Sequence, residues 1–239
     1  MALSLARHLL ERFGAQVTLA TDGALLAGAQ PLGWAELDAI LPDHGLPRGV
    51  VELRAAKALG GGTSIALASL RAAHERDPRA WCAWLDPAGT LYSPGVAMAG
   101  VDLNRLAVVR PPRKGLLRTA VMVVRSEAFD VVVIDLDSPP GSIAANDEGP
   151  SRRRTRGRDE TVEVFVRKLA MLTTEVGVTV ILLTDATVVR SSPLPVALRL
   201  ELTRTVRSIG VRVGKERHGR IGLAKTVALD TKPGLVLAG

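Results

Sequence analysis

The residues best suited to chemistry form one short run, Gly60, Gly61, Gly62, Thr63 and Ser64, and one isolated carboxylate, Asp135. Glycines after a buried strand let backbone N–H groups converge on phosphate oxygens at a helix N-terminus. A lysine then supplies charge, and a Ser or Thr hydroxyl holds magnesium. Thr63 and Ser64 supply the hydroxyl, but Gly62 stands where the lysine would precede it. Lys57 lies upstream, and no Gly or Pro falls between Glu52 and Gly60, so the loop's first half also departs from G-x-x-x-x-G-K-[ST]. Asp135 closes the apolar run FDVVVID, the position a magnesium-bound nucleotide requires. A strand-end aspartate also caps loops or pairs with arginine, and three glycines also make a tight strand-to-helix turn. Both readings stay open at this point.

No other reaction class is signalled. His8, His44, His74 and His218 are scattered without metal-ligand spacing and read as surface groups. Cys82, the single cysteine, reads as a small buried hydrophobe inside AWCAWLD and cannot form an internal disulfide. No metal and no cofactor is expected. With no secretory leader and no apolar run of membrane-spanning length, the sequence points to the cytoplasm and away from a membrane partner.

The elements that must position the glycine run follow from periodicity. From residue 49 strands alternate with helices: VVELR, a helix from about 63 to 75, AWCAWLD, LAVVR, a helix near 114–127, DVVVIDLD, a helix near 161–176, and VTVILLTD. Continuous β-branched runs such as VVVID belong to strands buried on both faces, and helices between them imply right-handed crossovers in a parallel sheet. After Asp185 the alternating VALRLEL, GVRVGKE and GLAKTVAL read as antiparallel strands closing one edge. With 47% hydrophobic but only 3% aromatic residues, the core is built from Ala, Val, Leu and Ile. Residues 1–30 read as a helix with Gly14 as its stop, then a short strand, QVTLA. Residues 31–239 read as the core, interrupted at 138–160 by a flexible linker rich in Pro, Gly, Ser and Arg.

Charge is uneven. Residues 1–110 carry ten Lys/Arg and ten Asp/Glu; residues 111–239 carry twenty-one against fourteen, so the entire net charge of +7 lies there. A basic half fits a polyanion, and nucleic acid is the expected partner. Two basic sets are candidates: Arg152, Arg153, Arg154, Arg156 and Arg158 in the linker, and Arg204, Arg207, Arg212, Lys215, Arg217, Arg220 and Lys225 in the tail. Arginines on a flexible segment can neutralise successive phosphates and release counterions, giving salt-sensitive binding without sequence preference. Trp34, Trp81, Trp84 and Tyr92 read as core or turn residues, so no base-stacking platform is evident.

GLPRGVVEL before the glycine loop, WLDPAGTLYSPGVAMAGVDLNRLAVVRP after it, FDVVVIDLDS, and ALRLEL then VRVGKERHG stand in the order of the RecA recombinase core, which the chain resembles over about residues 6–229. The GVDLNRL phrase, the PVALRLEL ending and the altered loop together resemble more closely the ImuA family, RecA-like accessory factors of bacterial damage-induced mutagenesis. That resemblance implies a RecA-like α/β core: a mostly parallel sheet, helices on both faces, antiparallel strands at one edge. Its activating glutamate falls at Ala88, and its sensor pair at Asp185 and Ala186, where the glutamine is lost. With the lysine also absent at Gly62, the resemblance implies a non-catalytic DNA-binding protein of the SOS response supporting translesion synthesis. Its implied partners are DNA, ImuB, an error-prone replicative-type polymerase and RecA, the last docking through residues 1–30. The competing expectation is an active DNA-dependent ATPase that recruits Lys57 or a neighbouring subunit's lysine. A third is an interaction module without DNA affinity.

Overall fold

The computed structural model describes residues 28–56, 60–136, 152–187 and 193–229, with residues 113 and 152–161 described by backbone alone. Most of the expected N-terminal docking segment, including His8, together with Lys57 and the first part of the linker, lies outside the described residues.

Eight strands form one sheet: β1 (Gly49–Ala55), β2 (Cys82–Leu85), β3 (Leu106–Val109), β4 (Val131–Asp135), β5 (Thr179–Asp185), β6 (Leu198–Arg204), β7 (Ser208–Glu216) and β8 (Ala224–Ala228). Their order is β3-β2-β4-β5-β1-β6-β7-β8. The helices are α1 (Ala35–Asp38), α2 (Gly62–Arg76), α3 (Ser93–Met98), α4 (Leu116–Arg125) and α5 (Arg152–Val176). The expected mixed α/β architecture with a mostly parallel sheet is what forms. One detail differs: of the three last strands, β6 runs parallel to β1, and the antiparallel pairings are β6 with β7 and β7 with β8. Backbone pairing to β1 selects that direction, which alternation of side chains along β6 does not encode.

Strand alternation builds two cores. Val51, Leu53, Trp84, Val133 and Ile181 pack with Ile65 and Leu70 of α2 on one face. Val50, Leu85, Val132, Ile134 and Leu182 pack with Leu116, Ala120 and Val124 of α4 and Phe165, Val166 and Leu169 of α5 on the other. Burying one such aliphatic side chain contributes roughly 1.5–3 kcal/mol, so the continuous apolar runs of β1, β4 and β5 are the fold's main source of stability.

A second difference concerns α5. It begins at Arg152, well before residue 161, so Arg152, Arg153, Arg154, Arg156 and Arg158 stand on its first turns and not in a linker. Backbone hydrogen bonding propagates through a polar stretch once a packed helix is nucleated, and composition alone does not report this.

Candidate functional site

The glycine run leaves β1 and opens α2. Gly60 is obligatory there, because a Cβ would collide with the Ala55 side chain and the Ala56 carbonyl. Gly61 has φ +79°, the left-handed region that glycine adopts without strain. The first turn of α2 has no side-chain cap, so its uncapped N–H groups face the space in front of the loop with the positive end of the helix dipole.

That space is a cleft of about 520 Å³, lined by Gly60–Ser64 and Asp135 together with Trp84, Thr90, Tyr92, Thr184 and Arg204. The two features singled out by type and spacing therefore meet at one site, because β5 alone separates β4 from β1 and both loops leave the same sheet edge. Asp135 is 7% exposed at the end of β4.

Gly62, Ala88 and Ala186 differ in their surroundings. A Cβ at Gly62 would lie 3.7 Å from Leu183 and 3.9 Å from Ala55, ordinary contact distances. The lysine is thus absent from a position with room to begin a side chain. Ala88 sits exposed in a turn organised by the buried Asp86, whose carboxylate accepts the Thr90 and Leu91 N–H groups at 3.0 Å each. Ala186 donates its N–H to the Ala55 carbonyl at 2.8 Å and its own carbonyl accepts from Arg54, stitching β5 to β1. Asp185 accepts the Thr187 N–H at 2.8 Å.

The basic tail does not act as one surface. Arg204 lines the cleft, and among the described lining residues it is the only cation. Arg212 pairs with Glu201 across β6 and β7, its Nε donating at 2.9 Å. Arg220 forks onto both oxygens of Asp43 at 3.1 and 3.2 Å and also reaches Glu216. Lys215 donates to the Leu194 carbonyl at 2.9 Å, and burial together with the neighbouring Arg199 lowers its pKa, partly offset by Glu52. Arg217 donates to the Arg48 carbonyl at 3.3 Å. Arg207 lies exposed in the β6–β7 turn and Lys225 exposed on β8.

Sequence reading missed Glu52. It is fully buried in β1, accepts Arg199 Nε at 2.6 Å and the Thr184 hydroxyl at 2.8 Å, and lies beside Arg199 in the β1–β6 register. One acid inside VVELR and one arginine inside ALRLEL were the available signal. His74 is also not a surface group: it is half-buried, and its Nδ1 accepts the Asp102 N–H at 3.2 Å. Of the aromatic residues, Trp34 and Trp84 are buried, whereas Trp81 is 43% exposed with the Arg105 guanidinium 5.8 Å above its ring. Burial pushes the Cys82 thiol up to about 12, with the Asp130 carboxylate adding to the shift, so it is a packed, inert side chain. Among the described residues no helix is long and apolar enough to cross a membrane.

No curated protein matches the chain. The pattern that defines the MT3502 N-terminal domain matches residues 39–167, just over half of the 239. That stretch contains β1, the glycine loop and Asp135, which line the cleft, and it also takes in the first turns of α5. The chain belongs to the family of the MT3502 N-terminal domain.

Proposed function

We propose that this chain is a non-catalytic, RecA-like DNA-binding accessory protein of the ImuA kind, serving DNA-damage-induced translesion synthesis in the cytoplasm at the nucleoid. The observation that carries the reading is the cleft itself. It keeps the glycine turn, the hydroxyls and the strand-end acid, yet holds Gly62 where the lysine charge would reside, and outside its lining the chain carries Ala88 and Ala186 at the positions the resemblance gives to activation and sensing. The strand order, with β5 between the glycine-loop strand and the Asp135 strand, supports a phosphate-loop ancestry. Losing one preorganised electrostatic group costs on the order of 100- to 1000-fold in rate, so losing three leaves hydrolysis at background. The test is phosphate release from ATP with and without DNA, alongside DNA binding over a salt series. Turnover at the rate of a working recombinase overturns the reading.

One observation favours a second reading. Arg204 lines the cleft and pairs with no carboxylate among the described residues, so it could replace the missing lysine charge in an active ATPase. Under that reading Arg204→Ala abolishes both nucleotide-dependent thermal shift and turnover. Under ours there is no turnover to abolish.

For protein partners, the edge strand β3 supports docking. Among the described residues it pairs on one side only, and it borders a groove of about 310 Å³ lined by Leu91, Val96, Leu103, Leu106 and Val108. An extended segment can add there by main-chain hydrogen bonds. ImuB, an error-prone replicative-type polymerase and RecA are the partners this reading carries.

A further inference from the structure

We infer that the nucleic-acid track runs along the outer face of α4, continuous with the first turns of α5, and not along the β6–β8 tail. The inference rests on the DNA-binding reading above and assigns its site. α4 buries Leu116, Ala120 and Val124 at four-residue spacing, which turns Arg118, Met122 and Arg125 to solvent, with Lys114 exposed in the preceding turn. Lys114, Arg118 and Arg125 pair with no carboxylate among the described residues. In the tail Arg212 and Arg220 are already held by carboxylates, Lys215 is half-buried on the Leu194 carbonyl and Arg204 lines the cleft, which leaves Arg217 and Lys225 exposed without a carboxylate partner among the described residues. A cation already neutralised by a neighbour releases few counterions on meeting a phosphate, and an unpaired one releases its full share.

Topology joins the α4 cations to the arginine run. α4 leads from β3 to β4 and α5 from β4 to β5, and these strands are all parallel through β2. Both helices therefore start at the carboxyl edge of the sheet, pack against each other, and share the core of one sheet face. Lys114 and Arg118, early in α4, and Arg152–Arg158, at the start of α5, lie toward that same edge. Further along α5, Lys168 is exposed and unpaired among the described residues, while Arg167 pairs with Glu163 at 2.7 Å. From Arg118 to Arg125 the helix rises about 10 Å, the rise of about three nucleotides of one strand. The occupant is a nucleic-acid phosphodiester backbone, chosen because the face carries repeated unpaired cations. Met122 (62% exposed), Val164 (63%) and Met171 (64%) also lie on these helices, so an acidic amphipathic peptide is the alternative to be separated.

The test uses the full chain with fluorescein-labelled single- and double-stranded DNA of about 30 nucleotides, titrated between about 0.05 and 0.3 M salt. The triple variant Lys114→Ala, Arg118→Ala, Arg125→Ala should lower the slope of log affinity against log salt by about 2 to 3 and weaken binding at least about tenfold near 0.1 M. Arg118→Lys with Arg125→Lys should retain the slope, and an unchanged circular dichroism spectrum shows the variants are folded. Arg212→Ala with Arg220→Ala should keep the slope while lowering the melting temperature. A wild-type slope in the α4 variant, or a loss confined to the tail variant, overturns the assignment and leaves DNA binding intact. Loss of glutamate-rich peptide binding with DNA binding unchanged overturns it in favour of a protein partner. A wild-type chain that binds neither DNA overturns the DNA-binding reading itself and the assignment with it.

Discussion

Glu52 is a carboxylate in a place with no water, and its stability consequence is set by its partners. With Arg199 at 2.6 Å and Thr184 at 2.8 Å, both oxygens are satisfied, so the pair persists despite the cost of desolvation. Removing one member leaves a buried uncompensated charge, and Arg199→Ala should destabilise the fold by about 3–5 kcal/mol in urea denaturation. Replacing both members by apolar residues of similar volume should cost far less. At Gly62 the expected effect is on binding. Gly62→Lys adds charge at a helix N-terminus where a side chain has room to start, so nucleotide-dependent thermal shift should appear or increase. Phosphate release should stay at background, because Ala88 and Ala186 remain.

Helix α5 carries a local conflict. Arg152, Arg153, Arg154, Arg156 and Arg158 stand at the positive end of the helix dipole, where cations are unfavourable by about 0.3–1 kcal/mol each at low ionic strength. Arg156 and Glu160 fall four apart in the less favourable order for a helical pair. The packed remainder of α5, through Phe165, Val166 and Leu169, holds these turns helical. A polyanion relieves the repulsion, so amide hydrogen exchange at 152–160 should slow on adding DNA and return to the free rate at high salt. Unchanged protection at saturating DNA would show that these turns take no part in binding.

Across the whole molecule, one ion-pair cluster ties the segment before β1 to the far end of β7. Arg220 bridges Asp43 and Glu216, and Asp43 and His44 adopt left-handed backbone, φ 59° and 56°. The Arg220 hydrogen bonds hold the Asp43 carboxyl below the usual carboxylate range. At Glu216 burial opposes the shift, but hydrogen bonds from Arg220 and His218 still bring it below its ordinary value. Both folded-state values are depressed. Their contribution is therefore complete above the unfolded carboxylate values near pH 4 and disappears as the pH falls further. The melting temperature should drop below about pH 4, and Arg220→Ala should flatten that part of the profile. Exposure of the Asp43–Arg220 contact keeps the effect modest and salt-sensitive.

The order of strands and helices, the parallel character of the sheet and the glycine turn were all legible in the chain, because buried strands and amphipathic helices write their period into neighbouring residues. The absence of a lysine at Gly62 was equally plain. Which cations are engaged was not legible. Glu52 and Arg199 are 147 positions apart, and Arg220 and Asp43 are 177 apart, so only strand order and register bring them together. By composition the tail looked like one basic surface; folding turned Arg204 into the cleft, locked Arg212 and Arg220 onto acids, and left the α4 cations outside. Local periodicity chooses the elements, but charge pairing depends on distances that only the completed sheet defines.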